Sequence, residues 1–221
     1  MDGPEKLPKR IIIMCGHPGS GKTTTAHRIR QAMDDAIVVS RDYFRNPYIR
    51  DTFRWNGHLD EYSKVKAKKI DQIFYEDANQ LLCTYNTVIL DATFREWLAV
   101  QQASAFFEQK FSCCIFVIEC VCSYQTLLQR LERQLKLGQK KFIKSPTDML
   151  AYYIKSSETL DNQLLTKFNF IRFDTEKNLI VLQSLESNTG HFAKQLVAIL
   201  EQPFNVSDFE SFVTVPEQEK I

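Results

Sequence analysis

The chain has 221 residues, of which 44% are hydrophobic and 25% charged, with a net charge of +1. That length suits one well-buried α/β domain and is short for two, and a near-neutral balance excludes a global electrostatic pull toward nucleic acid or membrane. The longest apolar run, Cys113 to Cys122, carries Glu119 inside it and falls short of the ~18 residues that span a bilayer, so the sequence predicts a soluble protein.

Residues 1–9, with Asp, Gly, Pro and several charges, read as a flexible lead-in. An apolar, β-branched run from Arg10 to Cys15 then reads as a strand, and Lys22 to about Met33 as a helix. Between them stands Gly16-His17-Pro18-Gly19-Ser20-Gly21-Lys22-Thr23, followed by Thr24. G-x-x-x-x-G-K-T between a strand and a helix is a phosphate-binding P-loop. Its glycines let successive N–H groups curl around phosphates, Lys22 adds a compact positive charge, and the Thr23 hydroxyl can ligate Mg²⁺. Gly16 through Thr24 are therefore the predicted nucleotide-binding stretch.

Ile37-Val38-Val39 reads as a short buried strand. It runs into Ser40-Arg41-Asp42-Tyr43-Phe44-Arg45. A carboxylate at the carboxyl end of a strand, facing the γ-phosphate, suits a general base for an attacking hydroxyl; Asp42 as a cap of the next helix is the competing reading. Arg45 can orient that carboxylate or grip an anionic part of the acceptor. Residues 40–61 have no clear period and read as an acceptor loop, where Tyr43, Phe44, Tyr48, Phe53 and Trp55 interleave with Arg45, Arg50 and Arg54. That mixture can stack a base while holding phosphate, or pack under a surface loop.

Tyr62 to Leu82 has the apolar spacing of one helical face, and the lysines at 64, 66, 68 and 69 read as a solvated face. Thr87 to Leu90 is the next strand, closed by Asp91-Ala92-Thr93. Asp91 has the position of a Walker-B acid and is, with Thr23, a candidate Mg²⁺ ligand; many strands also end in Asp at a turn. Thr93 and Arg95 are candidate acceptor contacts beside it, and a helix follows from about Arg95 to Lys110.

Cys113 to Cys120 reads as a strand and Tyr124 to Leu137 as a helix stopped by Gly138. Arg130 and Arg133 can project from one side of it. With the basic stretch that follows, they suit a lid over about 133–147 that closes positive charge on the transferred phosphoryl group; an exposed basic helix end or a nucleic-acid patch is the alternative. Thr147 is a candidate cap for a helix from Asp148 to about Leu165. Phe170 to Phe173, ending at Asp174-Thr175, is a core strand, and His191 to Leu200 a closing helix. Leu179 to Leu182 reads as a short extra strand or the start of that helix. Residues 1–201 form one predicted domain, and 202–221 a mobile acidic tail.

The six cysteines sit mostly in apolar runs with no secretory signal before them, which predicts free thiols in a reduced, cytoplasmic setting. Cys120-Val121-Cys122 offers a weak metal motif against which a structural role is favoured, because the four histidines lack zinc-type spacing. Strands alternating with helices predict a three-layer α/β/α sandwich on a parallel sheet of about five strands, the P-loop NTPase arrangement, with ligands at the carboxyl ends of the strands.

In the order Gly16-His-Pro-Gly-Ser-Gly-Lys-Thr-Thr, Ser-Arg-Asp42-Tyr-Phe-Arg45, Leu-Asp91-Ala-Thr-Phe and Gln-Arg130-Leu-Glu-Arg133, the chain resembles the P-loop kinases related to polynucleotide 5′-hydroxyl kinase and the toxin-type (zeta-toxin-like) kinases of the same group. The resemblance spans about residues 10–175. It implies an ATP- and Mg²⁺-dependent kinase with a sheet like that of nucleoside-monophosphate kinases and a helical lid. It also implies that Asp42 activates the acceptor hydroxyl, Arg45 contacts the acceptor's phosphate, and Arg130 and Arg133 contact the ATP phosphates. The family's phosphatase partner domain has no room here. These motifs define the reaction more closely than the acceptor or the oligomeric state: an oligonucleotide 5′-end and a small-molecule alcohol both fit. A nucleoside-monophosphate kinase and a non-catalytic nucleotide switch are the other readings.

Overall fold

The apolar runs between the glycine, aspartate and proline breaks form six strands, and the stretches with helical spacing form six helices, among the residues described by the computed structural model: 8–44, 61–94, 97–110, 113–137, 145–156, 168–185 and 190–203. The strands are β1 (Lys9–Cys15), β2 (Ala36–Ser40), β3 (Thr87–Phe94), β4 (Cys113–Val121), β5 (Asn169–Asp174) and β6 (Leu179–Ser184). The helices are α1 (Lys22–Gln31), α2 (Glu61–Leu81), α3 (Trp97–Lys110), α4 (Tyr124–Lys136), α5 (Pro146–Ser156) and α6 (Gly190–Glu201). They make one six-stranded sheet in the order β2-β3-β1-β4-β5-β6. All pairings are parallel except that of β6, which runs antiparallel along β5.

Alternation along the central strands divides the core into two layers. Ile11 and Ile13 of β1, Leu90 of β3 and Val117 of β4 pack with Phe74 and Ala78 of α2 and Val100 and Phe107 of α3. Ile12 and Met14 of β1, Ile118 of β4 and Phe173 of β5 pack on the other side with Ile29 of α1 and Leu196 and Leu200 of α6. Strands covered on both faces need apolar residues at every position, which explains the continuous runs. Leu127 and Leu131 of α4 form a smaller cluster with Met149 and Leu150 of α5.

Because β1 lies between β3 and β4 in the sheet, the chain turns to one side after β1 and later crosses to the other. That switch point opens a crevice at the carboxyl end of β1, where ligands of open α/β sheets bind. The P-loop occupies it.

Several boundaries differ from the expected ones. Of the two readings of the stretch from Leu179 the strand is the one observed: it is the antiparallel strand β6 and not a helix start. It is reached through a turn in which Asp174 Oδ1 accepts from the backbone N–H groups of Glu176 and Lys177, both at 3.0 Å, and Asn178 takes a left-handed φ of 53°. The cap of α5 is Ser145, whose Oγ accepts from Asp148 N at 3.2 Å. Pro146 fits the first helical position because it lacks the N–H that the helix would leave unused, so the cap falls one residue earlier and Thr147 lies inside the helix. Asp91 lies within β3, which continues to Phe94 past an irregularity opposite Met14 and Cys15. Residues 41–44, expected to be loop, form a helical turn. Lys68 and Lys69 are exposed, as a solvated face requires. Arg45, Arg95, Gly138, residues 45–60 of the expected acceptor loop, residues 138–144 of the expected lid and the expected tail from 204 lie outside the described residues. Among the described residues no helix is long and apolar enough to cross a membrane.

Candidate active site at the carboxyl end of the sheet

The P-loop follows β1 with Gly16 at φ 127°, Gly19 at 82° and Gly21 at 92°. Gly16 is fixed by sterics as well as by torsion, since a Cβ there would stand 2.3 Å from Cys120 O. Gly21 is the N-cap of α1 and gives that helix no side-chain cap, and no acidic residue sits in the first turn. The other two helices with a described cap are closed by the hydroxyls of Ser123 and Ser145. The bare positive end of α1 therefore faces the crevice with its N–H groups available to an anion. Lys22 is 7% exposed, and its Nζ donates to His17 O at 2.8 Å. Pro18 and Thr24 are half-buried at the two ends of this cradle.

Strand register brings the distant acids to the same edge. Asp91 of β3 lies opposite Met14 of β1 on one side and Ser40 of β2 on the other. Thr23 Oγ1 donates to Asp91 Oδ2 at 2.7 Å, joining residues 68 apart in sequence. Burial pushes the Asp91 carboxyl above its ordinary range; Lys22 and the Thr23 hydroxyl pull it back, and the charge of Asp42 pushes it up again. Asp42 is thus electrostatically coupled to Asp91 from the turn that follows β2. Arg41 forms an ion pair with Asp71 of α2, and Phe44 meets Phe74 edge-on with centroids 6.1 Å apart, so the turn carrying Asp42 is tied to α2 on both sides. Tyr43 is 59% exposed and Thr93 is exposed at the end of β3.

A hydroxyl that spends its proton on a carboxylate keeps its lone pairs, and the Thr23–Asp91 pair offers two hard oxygen donors at one point. That donor set suits Mg²⁺, which binds proteins through one or two such groups and keeps its waters. Charged Asp91 lowers stability at neutral pH, because its folded-state pKa lies above the unfolded one, and that stability returns as pH falls. Asp91→Asn is therefore expected to raise the melting temperature of the ligand-free protein by about 2–4 °C per kcal/mol recovered, while removing most of any stabilisation that Mg²⁺ with ATP confers. Scanning calorimetry with and without both ligands checks this; a lower melting temperature in the ligand-free variant would show that the Lys22–Asp91–Thr23 cluster is a net brace.

Arg130 of α4 does not extend free of the loop. Its Nη1 donates to Gly19 O at 3.3 Å and to Thr175 Oγ1 at 2.9 Å, and its Nη2 to Thr175 O at 3.3 Å. Thr175 Oγ1 in turn donates to Ser20 O at 2.8 Å. Ser20 is buried, with its Oγ unpaired among the described residues. Arg133 is exposed one turn further along α4.

Sequence reasoning did not find Thr175, His27 or the Arg41–Asp71 pair. His27 lies one turn after Thr23; burial lowers its pKa, Arg30 adding to that and Asp91 opposing it. The Asp-Thr pair at a strand end did not single Thr175 out, since it also fits an ordinary turn. All six thiols are free. Cys120 is buried in the core, whereas Cys122 Sγ lies 3.7 Å from Arg130 Nη1, and no group of three or more His, Cys, Asp or Glu residues among those described could hold a metal ion.

A Gly-rich loop at the switch point of a 2-3-1-4-5 parallel sheet, with a lysine and a Thr–Asp pair, defines the class of P-loop kinase folds. Within it, the AAA_33 family model, described as an AAA domain, matches residues 11–152, and the chain belongs to that family. Among solved structures, one of the PezAT chromosomal toxin–antitoxin system of Streptococcus pneumoniae aligns with a TM-score of 0.55 at 19% identity, covering 94% of this chain and 84% of that one. A sugar kinase from Janibacter sp. HTCC2649 aligns with 0.53 at 14% identity, covering 86% and 91%. The Mycobacterium tuberculosis APS kinase CysC aligns with 0.52 at 13% identity, covering 89% and 100%. These likenesses are of fold. No curated protein sequence matches the chain.

Proposed function

We propose that the protein is an ATP- and Mg²⁺-dependent kinase that transfers the γ-phosphoryl group to an acceptor hydroxyl, with the 5′-hydroxyl of a polynucleotide as the first candidate. The observation that carries this reading is the convergence of Lys22, the Thr23–Asp91 pair and Asp42 on one edge of the sheet, with Asp42 close enough to act on the charge of Asp91. A switch that only binds nucleotide needs the first three; a carboxylate beside them, at the end of the neighbouring strand, suits the removal of a proton from an alcohol.

In this reading the N–H groups of the loop and the end of α1 bind the phosphates, and Lys22 leaves His17 O to meet the charge that develops on the transferred group. Thr23 and Asp91 would hold Mg²⁺, which would neutralise charge on the phosphate oxygens. Asp42 accepts the proton of the acceptor hydroxyl while Arg41 and Phe44 fix its turn on α2. Arg45, Thr93 and Arg95 contact the acceptor, and Arg133 approaches the ATP phosphates from α4, while Arg130, expected from the family resemblance to do the same, instead holds the loop that binds them through Gly19 O and Thr175. The aromatic and arginine mixture of residues 43–55 supports an acceptor with both a base and phosphates. The reduced, cytoplasmic setting proposed for the protein suits an ATP-dependent enzyme.

The test is incubation with Mg²⁺ and γ-labelled ATP against 5′-hydroxyl DNA and RNA oligonucleotides and, in parallel, against nucleosides and small alcohols. Label on the oligonucleotides establishes the proposed acceptor, and label only on small molecules moves it. Binding of ATP with label on neither favours the switch. Arg133→Ala is expected to lower kcat by about tenfold with the KM for ATP changed less than about threefold, because an exposed arginine of a closing lid acts in the transition state. Equal losses in both constants would assign Arg133 to ground-state binding.

A further inference from the structure

Thr175 stands at the turn between β5 and β6, remote in sequence from the P-loop, yet it touches the loop at Ser20 and Gly21 and two of the loop's supports, Arg130 and β4. Its Oγ1 donates to Ser20 O at 2.8 Å across 155 residues and accepts from Arg130 Nη1 at 2.9 Å. Its backbone N–H donates to Val121 O at 2.9 Å, anchoring it to β4. A Cβ built on Gly21 would stand 3.2 Å from its Cβ, Cγ2 and Oγ1, so its side chain also lies against the N-cap of α1. Glu176 fastens the same turn to the start of α4 by accepting from Ser123 N at 3.0 Å.

The C=O and N–H of a planar trans peptide point in opposite directions, so whatever holds one aims the other. Thr175 holds the Ser20 carbonyl toward the β5–β6 turn, which aims the Gly21 N–H away from it. Arg130 holds the Gly19 carbonyl at 3.3 Å, and the N–H of that peptide, on Ser20, closes the loop on His17 O at 3.1 Å. Two consecutive peptides are thus fixed from behind by one hydroxyl and one guanidinium that themselves share a hydrogen bond.

We propose that Thr175 is a positioning residue for phosphate binding: its hydroxyl, braced by Arg130, presets the Ser20–Gly21 peptide so that the loop meets a triphosphate already in its binding conformation. The inference rests on the reading of this loop as a nucleotide site. Preorganisation of this kind acts on affinity by removing the cost of ordering the loop on binding. It predicts that the hydroxyl matters to any ligand carrying the phosphate chain, with or without a base.

Calorimetric titration of the full chain with Mg²⁺·ATP and with Mg²⁺·tripolyphosphate tests it. Thr175→Val keeps the Cβ and both γ positions beside Gly21 and removes the hydroxyl; it is expected to weaken both ligands by about tenfold or more, the scale of one lost hydrogen bond at a buried acceptor. Thr175→Ser keeps the hydroxyl and is expected to stay within about threefold of the native affinity for both. Should the valine variant not fold, Thr175→Ala carries the same expectation. Native affinity for both ligands in Thr175→Val or Thr175→Ala overturns the inference, as does a loss confined to ATP, which would put Thr175 at the base. Equal losses in Thr175→Ser and Thr175→Val would assign the effect to packing and overturn it too. If the native protein binds neither ligand, the nucleotide reading fails before the role of Thr175 arises.

Discussion

Lys22→Ala is expected to reduce phosphoryl transfer on the order of 10²–10³-fold while the protein still folds. Lys22 is 7% exposed and its ammonium donates to His17 O at 2.8 Å, a carbonyl that also accepts from Ser20 N at 3.1 Å. Removing it therefore leaves His17 O with a donor, and the turn stays closed. What is lost is a positive charge beside the crevice. Lys22 is the largest of the influences that pull the Asp91 carboxyl down against its burial, so the variant should also hold Asp91 in its neutral form more readily and bind Mg²⁺ less well. If, as proposed, the lysine meets charge that grows as the phosphoryl group leaves ATP, kcat should fall more than ATP affinity. Single-turnover transfer together with equilibrium ATP binding separates the two; turnover equal to that of the native protein would remove Lys22 from the chemistry and with it the proposed mechanism.

The parts of this site that were legible in the sequence are those written locally. The P-loop could be read because its spacing encodes a backbone shape within nine consecutive residues, and the flanking strand and helix are set by periodicity in the same window. Asp91 gained meaning only from the order of motifs along the chain; its bond to Thr23 bridges 68 residues. Arg130 was legible as a basic residue on a helix, but its engagement with Gly19 O depends on how α4 packs across 111 residues of separation. Thr175 carries no local signal of its own, since an Asp-Thr at a strand end is also an ordinary turn. β6 was ambiguous because Leu-Ile-Val-Leu lacks polar alternation; as an edge strand it leaves Leu179 and Val181 about half exposed, a pattern that hydrophobicity alone does not distinguish from a buried helix start.

The brace behind the loop and the acids in front of it divide the labour. On the rear side, Arg130 and Thr175 engage carbonyls of the loop. On the front, Lys22 pulls the Asp91 carboxyl down and Asp42 pushes it up. A change at the rear should thus move affinity for the phosphate chain, and a change at the front should move turnover.

Asp42→Asn is the sharpest case of the second kind, with an expected loss of about 10²–10⁴-fold in transfer to a hydroxyl. Asparagine preserves the shape and one acceptor oxygen, and the turn remains tied to α2 by the Arg41–Asp71 pair and the Phe44–Phe74 contact. The basicity and the negative charge of Asp42 disappear. The substitution also relieves Asp91 of the neighbouring charge that helps to raise its pKa, so Asp91 should ionise more readily and Mg²⁺·ATP should bind at least as tightly as in the native protein. That opposition, turnover down and binding undiminished, distinguishes loss of a base from collapse of the site, in which both would fall. It also separates acceptors: transfer to a phosphate oxygen has no proton to remove, and full activity in Asp42→Asn would identify the reaction as that of a nucleoside-monophosphate kinase, leaving the electrostatic coupling of Asp42 to Asp91 as a structural feature of the crevice.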